Sequence, residues 1–160
     1  MISRVRTALA KKESGFTLTE LLVVIVIVGI LSAVAIPMFL RQQDKAHDTA
    51  VKSDITNAAL AADAYYVEDL KYPTTVAGFS NDDGAPLASP GTSYVAFVTS
   101  DNYVIYGLSR SGSLFRMERA SGAGAEKVAG TALPSSAPTS DGLTGTVTPV
   151  TWDESTTITA

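Results

Sequence analysis

The chain has no cysteine and only one histidine among its 160 residues. Without cysteine there is no disulfide framework, thiol nucleophile or cysteine metal cluster. Equally absent are an Asn-x-Ser/Thr acceptor, a phosphate-cradling glycine loop, a Ser/His/Asp set and any metal-ligand spacing. Positive charge is scarce beyond the N-terminus. Arg4, Arg6, Lys11 and Lys12 against Glu13 place +3 on the first 15 residues, leaving the remainder at −7 in a chain of net charge −4. A domain that acidic lacks the clustered Lys and Arg that phosphate contacts need, so charge does not indicate DNA binding. No enzymatic role, cofactor or metal is expected, and adjacent carboxylates such as Glu68-Asp69 are not catalytic without geometry. His47 is expected to be a solvated helix residue. Asn81-Asp82-Asp83-Gly84 lacks the spaced ligands of a calcium loop and is expected to be an Asx-rich turn.

What the chain does have is a long apolar run. Leu21 to Leu40 is 20 residues without a charge, and from Phe16 to Leu40 Glu20 is the only charged side chain. About 20 residues at 1.5 Å each cover about 30 Å, the hydrocarbon thickness of a bilayer. Val23 to Val28 is β-branched throughout and would favour a strand in water. In lipid an isolated strand leaves its backbone unsatisfied, so a single span must be helical. Gly29 and Pro37 are its weak points, one adding backbone entropy and the other removing a donor. A basic segment before the span predicts that residues 1–15 stay in the cytoplasm and that the acidic domain crosses. Glu20 is costly in lipid and therefore a functional candidate. Two other readings are open: a secretory signal peptide cut near Ala33-Val34-Ala35, and a plain anchor whose Glu20 snorkels to the interface.

Beyond Arg41 the pattern becomes amphipathic. Val51, Ile55, Ala58, Ala62 and Tyr65 or Tyr66 recur at spacings of three and four, one face of a helix. Pro73 stops it, so a single helix is expected from about Phe16 to Leu70. Its outer half needs a partner on one face, and that partner is expected to be a sheet. Thr74 to Gly91 reads as loop. Tyr94–Thr99, Tyr103–Ser109 and Leu114–Arg119 read as an antiparallel meander. Ala120 to Gly130 is expected to be small and flexible, and Pro134–Gly142 is a Ser/Pro/Thr-rich loop. Thr144–Trp152 is expected as an edge strand, since Pro149 argues against a central one. Tyr65, Tyr66, Tyr94, Tyr103 and Tyr106 are expected to pack in the core and across strands. The fold class is α+β, a long N-terminal helix on a small antiparallel sheet. Its segments are residues 1–15, 16–40, 41–73 and 74–160.

The run Gly15-Phe16-Thr17-Leu18-Thr19-Glu20-Leu21-Leu22-Val23-Val24, behind a basic leader, resembles the processing site and N-terminal helix of type IV pilins and pseudopilins. Gly29-Ile30-Leu31, Ala35-Ile36-Pro37 and Tyr72-Pro73-Thr74 are similar to family features as well. The resemblance implies cleavage after Gly15 by a prepilin peptidase and N-methylation of the new N-terminus, Phe16. It implies that Glu20 sets the register of a subunit in a filament, and that the helix melts locally near Gly29 and Pro37. The implied partners are further copies in a homopolymer, minor pilins, an assembly platform protein and an ATPase motor. The implied location is first the membrane, with the head outside, and then an extracellular filament serving adhesion, motility, DNA uptake or secretion. A pseudopilin of a secretion or competence system and a membrane-anchored exported binding module are the alternatives. Missing cysteine departs from the disulfide-closed loop of many Gram-negative relatives and points to a Gram-positive or otherwise cysteine-poor host.

Overall fold

The structure is a computed structural model that describes residues 15–79, 88–137, 143 and 148–153. The basic leader up to Ser14, the Asn81–Gly84 turn and part of the Pro134–Gly142 stretch lie outside the described residues. The chain divides into two compact units, Met1–Arg41 and Gln42–Ala160.

One helix, α1 (Leu18–Asp69), contributes to both units. It starts two residues later than expected, because Thr17 acts as its N-terminal cap. It runs unbroken past Gly29 and through Pro37. In the first unit no described residue is buried, and the apolar window of α1 is long enough to cross a membrane. In the second unit Val51, Ile55, Ala58, Ala59 and Ala62 form a buried face at helical spacing. The chain leaves α1 through Leu70 at φ 55°, a left-handed conformation uncommon for leucine and costing on the order of 1 kcal/mol.

The face of α1 formed by these five residues packs on a five-stranded antiparallel sheet: β1 (Ser93–Val98), β2 (Tyr103–Leu108), β3 (Leu114–Glu118), β4 (Glu126–Val128) and β5 (Thr148–Asp153). The strand order is β4-β3-β2-β1-β5, so the meander is as expected and β5 is an edge strand beside β1. Pro149 pairs opposite Phe97 on that edge, where its missing N–H costs no interior ladder bond. Alternation sorts the side chains. Tyr94, Ala96, Val98, Tyr103, Ile105, Phe115, Val150 and Trp152 meet the helix. Val95, Phe97, Val104, Tyr106 and Leu114 form a second cluster on the other face, under Leu133, Ala137 and Leu143.

Three expectations need correction. The Ala120–Gly130 segment is not simply flexible: Arg119–Ser121 forms a 3-10 turn and Glu126–Val128 is β4. β4 pairs antiparallel with β3, where Arg116 bonds Glu126 across the strands at 3.3 Å. The Thr74–Gly91 loop contains a 3-10 turn (Val76–Phe79) that delivers Phe79 fully buried into the core. Its ring stacks on Trp152 at 5.3 Å and meets Tyr103 edge-on. Tyr65, finally, is exposed, whereas Tyr66 turns inward and stacks on Tyr72 at 4.6 Å.

Candidate functional site

The residues singled out by the sequence meet at the start of α1. Gly15, Phe16 and Thr17 precede the helix and are exposed, with Phe16 80% accessible. The Gly15–Phe16 bond lies outside α1, in residues that belong to no helix or strand. Among the described residues, a side chain at Gly15 would meet no atom within 4 Å.

Thr17 and Glu20 are tied together. The Glu20 backbone N–H donates to Thr17 Oγ1 at 3.2 Å, and the Thr17 backbone N–H donates to Glu20 Oε2 at 2.8 Å. The Thr17 hydroxyl also donates to Oε2, at 2.9 Å. This reciprocal arrangement is a capping box, which satisfies donors that a helix start otherwise leaves bare. It also aims the carboxylate at the positive end of the helix dipole. The signature Thr17-x-x-Glu20 stands in the sequence, yet sequence reasoning gave Glu20 an intermolecular or a snorkelling role and no capping one. The box engages one carboxylate oxygen. Around it, Phe16, Val23 and Val24 make an otherwise apolar shallow groove. Cleavage after Gly15 would place an ammonium one residue before the cap, leaving the box itself intact.

Gly29 and Pro37 lie further along the same exposed span, and a side chain at Gly29 would meet nothing within 4 Å. Both lie more than two helical turns beyond Glu20 on α1.

In the second unit, α1 carries three carboxylates that fasten the head. Asp48 accepts from the Ser111 hydroxyl in the β2–β3 turn. Asp54 accepts from the Ser89 N–H at 2.7 Å and the Tyr94 hydroxyl at 2.6 Å. Asp63 accepts from Tyr72 and Tyr103 and lies 3.6 Å from Arg119 Nε. Burial pushes the Asp48 carboxyl up, but the hydroxyls of Ser111, Ser109 and Ser113 and the charge of Lys127 outweigh it, so it ends below its ordinary value. Burial also raises the hydroxyls of Tyr94 and Tyr103, and that of Tyr72 to about 12, so all three act as neutral donors. His47 is half-buried, unlike the solvated residue expected, and shares a polar crevice with Gln43, Asp44 and Arg110. Among the described residues no group of three metal-ligating side chains occurs.

Residues 10–36 match the prokaryotic N-terminal methylation motif. The chain is 39% identical over 80 residues to the type II secretion system core protein G of Pseudomonas aeruginosa, covering 50% of this chain and 56% of that protein. It is equally similar to the core protein G of Aeromonas hydrophila, with the same coverage. The Escherichia coli core protein G is 38% identical over 79 residues, 49% of this chain and 54% of that protein. The chain spans about half the length of the curated relatives it matches. The resemblance to type IV pilins and pseudopilins is thus borne out for the N-terminal motif and for about half of the chain.

Proposed function

We propose that this chain is the precursor of a pilin-like filament subunit, and that it serves as a pseudopilin in a type II secretion system. The observation that carries the reading is the first unit of α1. A helix of apolar residues buries none of its described side chains, beside a methylation motif and a single carboxylate. Apolar surface on that scale is stable only in lipid or against other such helices. The similarity to core protein G favours secretion over motility or adhesion as the task.

The sequence of events follows from chemistry. The precursor sits in the cytoplasmic membrane with its basic leader inside and its acidic head outside. A prepilin peptidase cuts the exposed Gly15–Phe16 bond, and Phe16 becomes a methylated ammonium. Glu20 lies four residues on, about 6 Å along the axis. An ammonium and a carboxylate about 4 Å apart attract by about 4 kcal/mol at an effective dielectric near 20, before desolvation. Pairing Glu20 with the amine of the neighbouring copy neutralises both charges and sets the axial stagger. An ATPase motor and a platform protein lift subunits from the membrane into the filament, with minor subunits alongside. Local unwinding near Gly29 and Pro37 would lengthen the polymer under load.

Peptide mapping of the mature protein tests the reading. A methylated N-terminus at Phe16 is expected. An intact Met1, or a start near Ile36, would overturn it in favour of an anchored module or a conventional signal peptide.

A further inference from the structure

Four polar side chains of the second unit converge on one crevice that filament assembly does not use. Gln43, Asp44 and His47 stand at spacings of three and four, on one face of α1. Arg110 joins them from the β2–β3 turn, which the Gly112 N–H closes by donating to the Ser109 carbonyl. The crevice measures about 220 Å³. Its two walls are tied together. Ser111, next along the turn, donates its hydroxyl to Asp48, next along the helix. Gly91, at φ 77°, lets the Arg110 stem lie close, since a Cβ there would come within 3.1 Å of Arg110 Cδ. Yet among the described residues none of the four lining side chains makes a hydrogen bond or an ion pair.

The lining suits a ligand that carries both signs of charge. A guanidinium, an imidazole N–H and an amide donate, which matches a phosphate; guanidinium grips phosphate through paired N–H bonds. The Asp44 carboxylate repels a second anion and matches an ammonium. Position selects the source of such a ligand. Along α1, Gln43 and His47 follow Leu40, the end of the apolar run, by about 5 Å and about 10 Å. The headgroup layer beyond the hydrocarbon is about 5–8 Å deep on each side of a bilayer. Resting on the membrane-precursor reading above, we infer that this crevice holds the headgroup of a zwitterionic phospholipid with a phosphate and a primary amine. Arg110, His47 and Gln43 hold the phosphate, and Asp44 holds the ammonium. The contact fixes how far α1 sinks into the bilayer, and extraction of the subunit must break it.

His47 is the only histidine in the chain, so its ring signals report on a single place. The full chain, carried without a histidine tag in maltoside micelles, is titrated with dihexanoylphosphatidylethanolamine and followed by NMR. A saturable shift of the His47 ring is expected, with dihexanoylphosphatidylglycerol binding about fivefold more weakly. Arg110→Gln, at an exposed turn position, should weaken binding about tenfold and leave the head's melting midpoint unchanged. Asp44→Asn should remove the preference between the two lipids. No saturable shift in the folded wild type would overturn the inference, as would undiminished affinity in Arg110→Gln. An unchanged preference in Asp44→Asn would overturn the zwitterion assignment. Equal affinity for phosphoethanolamine without acyl chains would overturn the lipid assignment in favour of a soluble phosphate ester. An intact Met1 in the mature protein sinks the filament reading alone, whereas a normal start at Phe16 with an unmoved His47 ring sinks this inference alone.

Discussion

The two portions of α1 differ in what they bury. From Leu18 to Arg41 no residue is buried, whereas between Gln42 and Asp69 the face from Val51 to Ala62 is covered by the sheet. The first portion is apolar all round with one carboxylate near its start; the second is amphipathic with three carboxylates that bond the head. An all-round apolar helix cannot gain stability from a globular core of its own, so its side chains are free to serve lipid and then neighbours. The amphipathic portion is committed to its own head on one side. The lesson is that carboxylates on one helix do opposite work. Asp54 joins elements of its own chain, while Glu20 bonds, among the described residues, within its capping box and in the proposed filament would meet another copy.

This contrast can be broken by substitution. Ile55→Ala should cost about 2–5 kcal/mol of head stability in chemical denaturation, because Ile55 is fully buried between helix and sheet. Ile25→Ala, at a site 67% exposed, should leave the same transition within about 0.5 kcal/mol. Next in size is Gly107→Ala. An added Cβ there would lie 2.7 Å from Val51 Cγ1 and 2.9 Å from Ile55 Cδ1, so helix and sheet must part. A loss of about 1–3 kcal/mol is expected in the same denaturation measurement. Thr17→Ala removes the capping hydroxyl and should destabilise the helix start by about 1 kcal/mol, read as lower helicity of an isolated 15–41 peptide in micelles, leaving the head's melting midpoint unchanged.

The smallest effect concerns pH. The Asp48 carboxyl sits below its ordinary value in the folded head, so its contribution is present above the unfolded carboxyl range. That contribution is lost as pH falls through the depressed folded value. Ser111→Ala removes one of the hydroxyls that lower it, so the head's melting midpoint should fall less steeply with acid in that variant than in the wild type. Parallel curves would contradict this role for the Asp48–Ser111 bond.

The helix and the meander were legible because each spans enough residues for its period to show. Val51, Ile55, Ala58 and Ala62 repeat over three turns, and the strands alternate between two apolar faces. Phe79 escaped because a buried residue on a 3-10 turn carries no period. β4 escaped because three residues cannot show one; its place depends on Arg116 meeting Glu126 across the strands. The second sheet cluster was hidden for a related reason. Leu133, Ala137 and Leu143 cover it from an irregular segment, so only the folded chain brings them to Phe97 and Tyr106. At the site, Gly15, Phe16 and Glu20 were legible as a motif. The Thr17–Glu20 box is a local hydrogen-bond pattern in the same ten residues, and it was passed over because the apolar run drew the reading toward lipid.

The most direct measurement compares how wild-type chain and Glu20→Ala distribute between membrane and sheared filament fractions, with cleavage at Phe16 checked in both. If Glu20 neutralises the neighbour's amine, the variant is cut normally, stays in the membrane and is missing from filaments. Equal filament yield from correctly cut Glu20→Ala would contradict it.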